Sequence, residues 1–324
     1  MLSFQPFETA DEAPETLATA SRLLRASVAN PVLDIIGDRW VLKILHELQF
    51  GPGRFDQLKL SLRISRGTLA TRLDDLVSHG FIRRTPYQDA PPRFEYRLTE
   101  KGEDTAPILH TIRLWDRTWA AGEADQRQLI HRSCKQVFQP ILACESCNSN
   151  IRARDIAYEA GTGTLTKASS ISRRPRRRTV RDDAAQSLSA ADILGDRWTA
   201  LVLSSAWFGL RRFTDMERAI DIAPNILTRR LNHLSQHGIL ARHQYQQRPV
   251  RAEYILTEKG FDLYPMTVAL LRWGDRWIAR AGEAPIILTH KTCGAKLEAA
   301  LFCQACNEPV QTGDLDPVEL TADA

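Results

Sequence analysis

The sequence predicts a mostly α chain with small β elements, built as one domain written twice with a small Cys- and His-bearing lobe after each copy. Three observations predict it. Asp34-Ile35-Ile36-Gly37-Asp38-Arg39-Trp40 recurs as Asp192-Ile193-Leu194-Gly195-Asp196-Arg197-Trp198, and Leu98-Thr99-Glu100-Lys101-Gly102 recurs as Leu256-Thr257-Glu258-Lys259-Gly260. Trp115 and Trp119 recur as Trp273 and Trp277, and the offset stays at 158 from Asp34 to Trp119 without insertion or deletion. A fixed long period of this kind marks repeated structural units. Third, all six cysteines fall into two clusters of matching spacing. Length agrees, since 324 residues suit about two ordinary domains.

In copy one, Leu33, Ile36, Trp40, Ile44 and Leu48 recur at steps of three and four, the stripe of one amphipathic helix, which stops at Gly51-Pro52-Gly53. Phe55, Leu58 and Leu62 mark a short second helix. Leu69, Leu73, Leu76 and Val77 mark a third, with Ser65 as its N-cap and Gly80 as its stop. Two short helices joined by a few residues form a helix-turn-helix. Phe94, Tyr96 and Leu98 alternate with Arg93, Glu95 and Arg97, the period of a half-buried strand. With Phe81–Tyr87 across a Pro- and Asp-rich turn this reads as a β-hairpin, placed where a winged helix carries its wing. Thr99 then caps one long helix running to about Ala121, which Pro107 should bend, as Pro265 should in copy two.

At 43% hydrophobic and 25% charged, the composition is that of a globular rather than a disordered chain. No apolar run is long enough to span a bilayer. The first twenty residues carry four acids and no base, unlike a secretory signal, so a cytoplasmic, nucleoid-associated protein is the expectation. The expected division is an acidic segment at 1–29, a winged helix-turn-helix domain at 30–122, a zinc-ribbon-like lobe at 123–160, and an Arg-rich linker at 161–186. The second winged helix-turn-helix domain follows at 187–282, the second lobe at 283–312 and an acidic tail at 313–324. The net charge of +4 is a remainder, because the six arginines of 173–181 cancel the acidic ends. Locally, 54–97 carries nine bases against five acids and 212–255 seven against four.

The order of elements, the Gly-Asp-Arg-Trp of the first helix, the segment Pro92-Arg93-Phe94-Glu95-Tyr96-Arg97-Leu98-Thr99 and the paired Trp resemble the HxlR family of winged helix-turn-helix transcriptional regulators, in two tandem copies over about 30–120 and 188–280. Copy two departs at Val250, where the family has Pro. Asn30-Pro31-Val32 stands where the family usually has Cys-Pro-Val, so the thiol sensing known in some members is not expected here. The resemblance implies sequence-specific binding of double-stranded DNA. It also implies a dimer through first and last helices, which fusion would turn into an intramolecular pseudo-dimer, with a further homodimer left open. Trp115, Trp119, Trp273 and Trp277 belong either to that interface or to each module's own core.

In such a fold the third helix enters the major groove by its N-terminal half. After the Ser65 cap, Arg66, Gly67, Ala70 and Thr71 face outward with Thr68 and Arg72 flanking, matched in copy two by Pro224, Asn225, Thr228 and Arg229 with Arg230 flanking; Ser65, Arg66, Thr68, Thr71, Arg72, Asn225, Thr228, Arg229 and Arg230 are the candidate DNA contacts. Arg suits guanine and Asn suits adenine, so different half-sites and a non-palindromic operator are expected. Wing residues Arg93, Arg248 and Arg251 suit phosphate or minor-groove contact.

His131, Cys134, Cys144 and Cys147 form one cluster and His290, Cys293, Cys303 and Cys306 the other, at the same spacings. Two short-spaced pairs supply the four ligands of a structural zinc, and each copy is expected to hold its own ion. Disulfides are disfavoured in a cytosolic chain. A Cys-x-x-Cys redox pair lacks a flanking base, and a deaminase site would need His-x-Glu, where His131-Arg132-Ser133 stands. Inert buried thiols without metal are the remaining reading. No enzyme is expected. The competing function is a zinc-dependent protein-interaction module in which the copy-two winged helix has lost DNA reading.

Overall fold

A computed structural model describes residues 13–120, 127–163, 189–248, 250–279 and 283–318. Most of the expected Arg-rich linker, including its run 173–181, lies outside the described residues. Copy one runs α1 (Ala13–Ala26), α2 (Ala29–Ile36), α3 (Arg39–Gln49), β1 (Gly53–Arg54), α4 (Phe55–Leu62), α5 (Arg66–Ser78), β2 (Ile82–Gln88), β3 (Arg93–Leu98), α6 (Glu100–Glu103) and α7 (Ala106–Trp119), then β4 (Leu129–His131), β5 (Pro140–Cys144) and β6 (Ile156–Ala160). Copy two runs α8 (Ala190–Leu194), α9 (Arg197–Trp207), α10 (Phe213–Ile220), α11 (Pro224–Gln236), β7 (Leu240–Gln247), β8 (Val250–Leu256), α12 (Glu258–Phe261) and α13 (Tyr264–Trp277), then β9 (Ile286–His290), β10 (Ala299–Cys303) and β11 (Leu315–Pro317). Each copy is a helix-turn-helix followed by an antiparallel wing, β2–β3 or β7–β8.

The single first helix expected from the stripe Leu33–Leu48 is two helices, and the repeated Gly-Asp explains the break. A Cβ on Gly37 would sit 2.2 Å from the Leu33 carbonyl oxygen, so no larger residue fits the turn that ends α2. Asp38 then caps α3 by accepting from the Trp40 and Val41 amides at 2.9 and 3.4 Å. The apolar stripe runs on because α2 and α3 both face the core, with Ile36, Val41, Ile44 and Leu45 almost fully buried. Periodicity reports faces, and a capped break between two helices need not disturb it.

The long helix expected from Thr99 is likewise two. Thr99 caps the short α6, accepting from the Gly102 amide, while its hydroxyl donates to the Gly80 carbonyl at 2.6 Å. Pro107 lies in the first turn of α7, where a missing amide proton costs nothing. Pro265 does the same for α13, so neither proline bends a helix. The invariant glycine of the repeat is steric too: a Cβ on Gly102 would stand 2.1 Å from the Phe81 carbonyl oxygen, and on Gly260 2.5 Å from that of Ile239.

The copies are packed through exchanged pieces. α7 lies against α13, α2 against α13 and α9, α8 against α3 and α7, and α1 against α10 and α9. Buried Ala20, Leu23 and Leu24 give α1 its apolar face. The tryptophans lie where the copies meet, taking the interface rather than the core reading. Trp115 donates to the Lys259 carbonyl (3.0 Å) and Trp273 to that of Lys101 (3.1 Å). Trp119 donates to Asp262 (2.9 Å) and Trp277 to Asp104 (2.8 Å). Asp116 on α7 accepts from the Ala190 amide and the Ser189 hydroxyl, both at 2.7 Å, at the start of α8.

The expected separate lobes do not form as such. β5 pairs with β10, β4 with β11 and β6 with β9, all antiparallel and each joining one copy to the other. In the central pair Leu142 faces Leu301, its own repeat at an offset of 159, so the register reads the same from either copy.

Candidate functional site

The recognition-helix core face is as the spacing predicts. Leu69, Leu73 and Leu76 on α5 and Leu227, Leu231 and Leu234 on α11 are essentially buried. This turns Ser65, Arg66, Gly67 and Thr71 outward in copy one, and Pro224, Asn225, Thr228 and Arg229 in copy two. Thr68 and Ala70 are half-buried. Ser65 caps α5, accepting from the Thr68 amide at 3.2 Å, with its hydroxyl 2.8 Å from that of Thr68. Pro224 occupies the first turn of α11, which supplies the helix start that Ala223, without a capping side chain, does not. Thr71 and Thr228 donate to the carbonyls of Gly67 and Pro224 at 3.0 and 2.8 Å. Their methyls stay available to an apolar base edge.

Arg72 and Arg230 lie elsewhere than expected. Arg72 turns inward to Asp38 at 3.0 Å and approaches Asp75 at 3.5 Å, leaving 19% of its side chain exposed. Arg230 pairs in the same way with Asp196, with 11% exposed. The helical period places them beside the outward face, but the carboxylate left over from capping α3 or α9 draws each guanidinium in. These two arginines therefore tie the recognition helix to the helix beneath it. The clue was in the sequence, since the Asp of each Gly-Asp-Arg-Trp repeats together with its Arg.

Arg93, Arg248 and Arg251 are exposed on the wings. The structure adds arginines that the alternation of β3 alone did not single out. Arg84 stacks on Phe94 at 3.6 Å, and Arg54 on Tyr87 at 4.1 Å. Arg83 faces Arg97 across the wing ladder. Such like-charge pairing disfavours the ladder itself and adds to the local positive field. Lys59 on α4 and Arg63, at the turn with φ of 50°, extend that surface.

The eight predicted metal ligands gather into two groups of four whose ligand atoms lie within 4.8 Å of one another, and either group could hold a metal ion. The grouping differs from the expected one. His131 and Cys134 join Cys303 and Cys306, while Cys144 and Cys147 join His290 and Cys293. The cause is β5: it pairs with β10 instead of turning back on β4. Cys303 then faces Pro140 at one end of the strand and Cys144 faces Ala299 at the other. Four strand steps of ~3.3 Å part the groups by roughly 13 Å. Spacing says how long the loop between ligand pairs is, and a nine-residue loop reaches either partner.

All four ligand pairs are built alike. Lys135, Asn148, Gly294 and Asn307, directly after the second ligand of each pair, have φ between 59° and 72°. Each donates its amide to the carbonyl of the first ligand, at 2.8, 2.8, 2.8 and 2.7 Å respectively. These are four tight knuckles, each closing a miniature hairpin. The six cysteines are free thiols. His131 Nδ1 lies 3.5 Å from Cys134 Sγ and 3.3 Å from Cys306 Sγ. His290 Nδ1 lies 3.5 Å from Cys293 Sγ and 3.3 Å from Cys147 Sγ. Sulfur–sulfur separations are 3.9 Å for Cys134–Cys303 and 4.0 Å for Cys144–Cys293. A tetrahedron with metal–sulfur bonds of ~2.3 Å has edges of about 3.8 Å. The Ser149 amide and hydroxyl pull the pKa of Cys147 down to about 6, while desolvation and crowding by neighbouring thiols push Cys293 and Cys306 up. Among the described residues no helix is long and apolar enough to cross a membrane.

Comparison with known proteins places this geometry. Residues 35–124 and 193–282 each match the HxlR-like helix-turn-helix family. An uncharacterized HTH-type transcriptional regulator of Mycobacterium tuberculosis is 39% identical over 128 residues, 40% of this chain and 81% of that protein. The uncharacterized HTH-type transcriptional regulator YvaP of Bacillus subtilis is 37% identical over 90 residues, 28% of this chain and 83% of that protein. Among solved structures, diamide-treated YodB of Bacillus subtilis is 30% identical, covering 27% of this chain and 87% of that one, with a TM-score of 0.24. Both relatives matched by sequence are described as transcriptional regulators. With the two matched segments covering more than half of its length, the chain belongs to the HxlR-like helix-turn-helix family, twice over.

Proposed function

We propose that the chain is a sequence-specific regulator whose two winged helices act as an intramolecular pseudo-dimer on one non-palindromic operator in double-stranded DNA. The observation that carries this is the pair of recognition helices with buried leucine faces and unlike exposed N-terminal halves, joined through helices that cross-pack between the copies. Arg66 would reach guanine and Asn225 adenine, with Ser65, Thr68, Thr71, Thr228 and Arg229 beside them. Arg93, Arg248 and Arg251 would hold the phosphates or minor groove. Arg72 and Arg230 act as positioning residues through Asp38 and Asp196. The same reading puts structural zinc in the two Cys/His groups, since four protein ligands of the Cys₃His type close the coordination sphere. Selecting bound duplexes from a random pool with the full chain tests it. A site with two unlike halves is expected, and a perfect palindrome overturns the unlike-half reading.

A second reading keeps DNA binding in copy one and gives copy two over to protein contact. It draws on Glu217 and Asp221, which stand where copy one has Lys59 and Arg63. Arg66→Ala set against Asn225→Ala/Arg229→Ala in a gel shift separates the two: loss in both favours dual reading, and an unaffected second variant favours this one.

A further inference from the structure

The two ligand groups have a property that neither winged helix explains: no group is complete within one copy. Each takes a His-x-x-Cys knuckle from one copy and a Cys-x-x-Cys knuckle from the other, from positions 143 to 175 residues apart. The ligands are placed by strands that themselves pair between copies, β5 with β10 at the centre and β4 with β11 and β6 with β9 at the flanks. His131 and His290 are 2% and 0% exposed, and each turns Nδ1 toward two thiols. Two buried imidazoles, each aimed by the same nitrogen into three crowded sulfurs, is an arrangement that a metal ion stabilises and bare thiols do not. Both groups also lie on the side of α7 and α13, against β5 and β10, that joins the copies.

We propose that the chain binds two zinc ions, each coordinated by one His Nδ1 and three thiolates shared between the copies, and that these ions clamp the two winged helices together. This rests on the zinc reading above and adds the partner each ligand pair takes. Binding releases the three thiol protons at each site, and no open coordination position remains for a substrate or a catalytic water. The clamp sits away from the recognition helices and sets their separation, so metal loading governs DNA binding without touching DNA.

Ligand grouping can be read from metal content alone. The full-length protein is expected to carry two zinc ions by elemental analysis. Cys134→Ser/Cys306→Ser strikes a single exchanged site, so one ion should remain. Cys134→Ser/Cys147→Ser strikes both, so none should. If each copy held its own ion, the two results would be reversed. Cys147→Ser/Cys293→Ser is the companion single-site variant and should also keep one ion, with the visible bands of cobalt substituted at the surviving site reporting that it is intact. Reversal of the pattern, or loss of all metal from both single-site variants, overturns the clamp. A wild-type chain that binds no zinc or cobalt overturns the zinc reading itself, and DNA binding by that metal-free chain would leave the regulator reading standing.

Discussion

The two copies share a skeleton and differ on the outward face of the helix-turn-helix and wing. Copy one presents Lys59, Arg63, Arg66, Arg83 and Arg97, where copy two has Glu217, Asp221, Pro224, Ala241 and Ile255. Yet the contacts that aim the recognition helices are repeated. Asp38–Arg72 and Asp196–Arg230 hold the recognition helices, Thr99 and Thr257 cap α6 and α12, and the four tryptophans donate across to the opposite copy. On the wing, Glu253 engages Arg212 at 3.2 Å in copy two, with that guanidinium 5.4 Å from Tyr245, whereas in copy one Glu95 engages Arg97 and Arg54 stacks closer on Tyr87, at 4.1 Å. Duplication has kept the machinery that aims the helices and let the contact surface diverge. A summed charge misses this, because +4 and +3 over the two segments hide a reversal at the turn of the helix-turn-helix.

The largest effect is expected where the copies agree. Asp38→Ala removes a helix cap and leaves the mostly buried Arg72 with only the more distant Asp75, so thermal or urea unfolding should show a loss of roughly 3 kcal/mol. Asp196→Ala should cost as much if the copies are mechanically equal, and a markedly smaller loss would break that equality.

Next is a difference in the core. His110 is buried against Phe138, and burial, aided by His46 and Arg113, pulls its pKa down to about 3; copy two has Val268 at that place. A histidine held neutral in the folded state takes up protons on unfolding. Its contribution to stability is thus intact above about pH 6.5 and falls by up to ~1.4 kcal/mol per pH unit as the pH drops toward 3. His110→Val should flatten the stability profile between pH 6.5 and 4. An unchanged acid limb would show that another group controls it.

Arg66→Ala should weaken specific DNA binding by about ten- to a hundredfold, and relax the base preference at one position, if Arg66 reads guanine. An equal loss at all sequences would make Arg66 a phosphate contact instead. The smallest effect is a gain: Glu217→Lys/Asp221→Arg gives copy two the charges of copy one and should tighten binding a few-fold. The salt dependence should steepen by about 0.9 for each phosphate newly contacted. No change in the salt slope would place α10 away from the DNA backbone.

What the sequence made legible was whatever depends on a local period or a repeated motif. The leucine faces of α5 and α11, the wing and the duplication itself are of this kind, as is the set of His and Cys that gathers into two clusters able to hold a metal. Partner choice was hidden. Arg72 lies on the helical wheel next to residues that do face outward, and only the position of Asp38 in space turns it inward. The knuckle His131-x-x-Cys134 is complete as a motif yet silent about which Cys-x-x-Cys it joins, because that is settled by strand pairing between segments more than 150 residues apart. Composition marks 1–29 only as acidic, and the buried Ala20, Leu23 and Leu24 of α1 fit a surface belonging to the other copy.

The register of β5 on β10 has one more implication. Because the pairing is symmetric about Leu142 and Leu301, with Cys144 facing Ala299 and Pro140 facing Cys303, nothing in the register distinguishes the second half of the same chain from that of a neighbouring molecule. Reciprocal exchange of halves between two chains would satisfy the same strand ladders and the same eight ligands. Tethering favours the closed single chain at low concentration. Crowding during refolding, or a shortened tether, should instead yield swapped dimers and longer chains of molecules, a liability that the unlike DNA-facing surfaces do nothing to prevent.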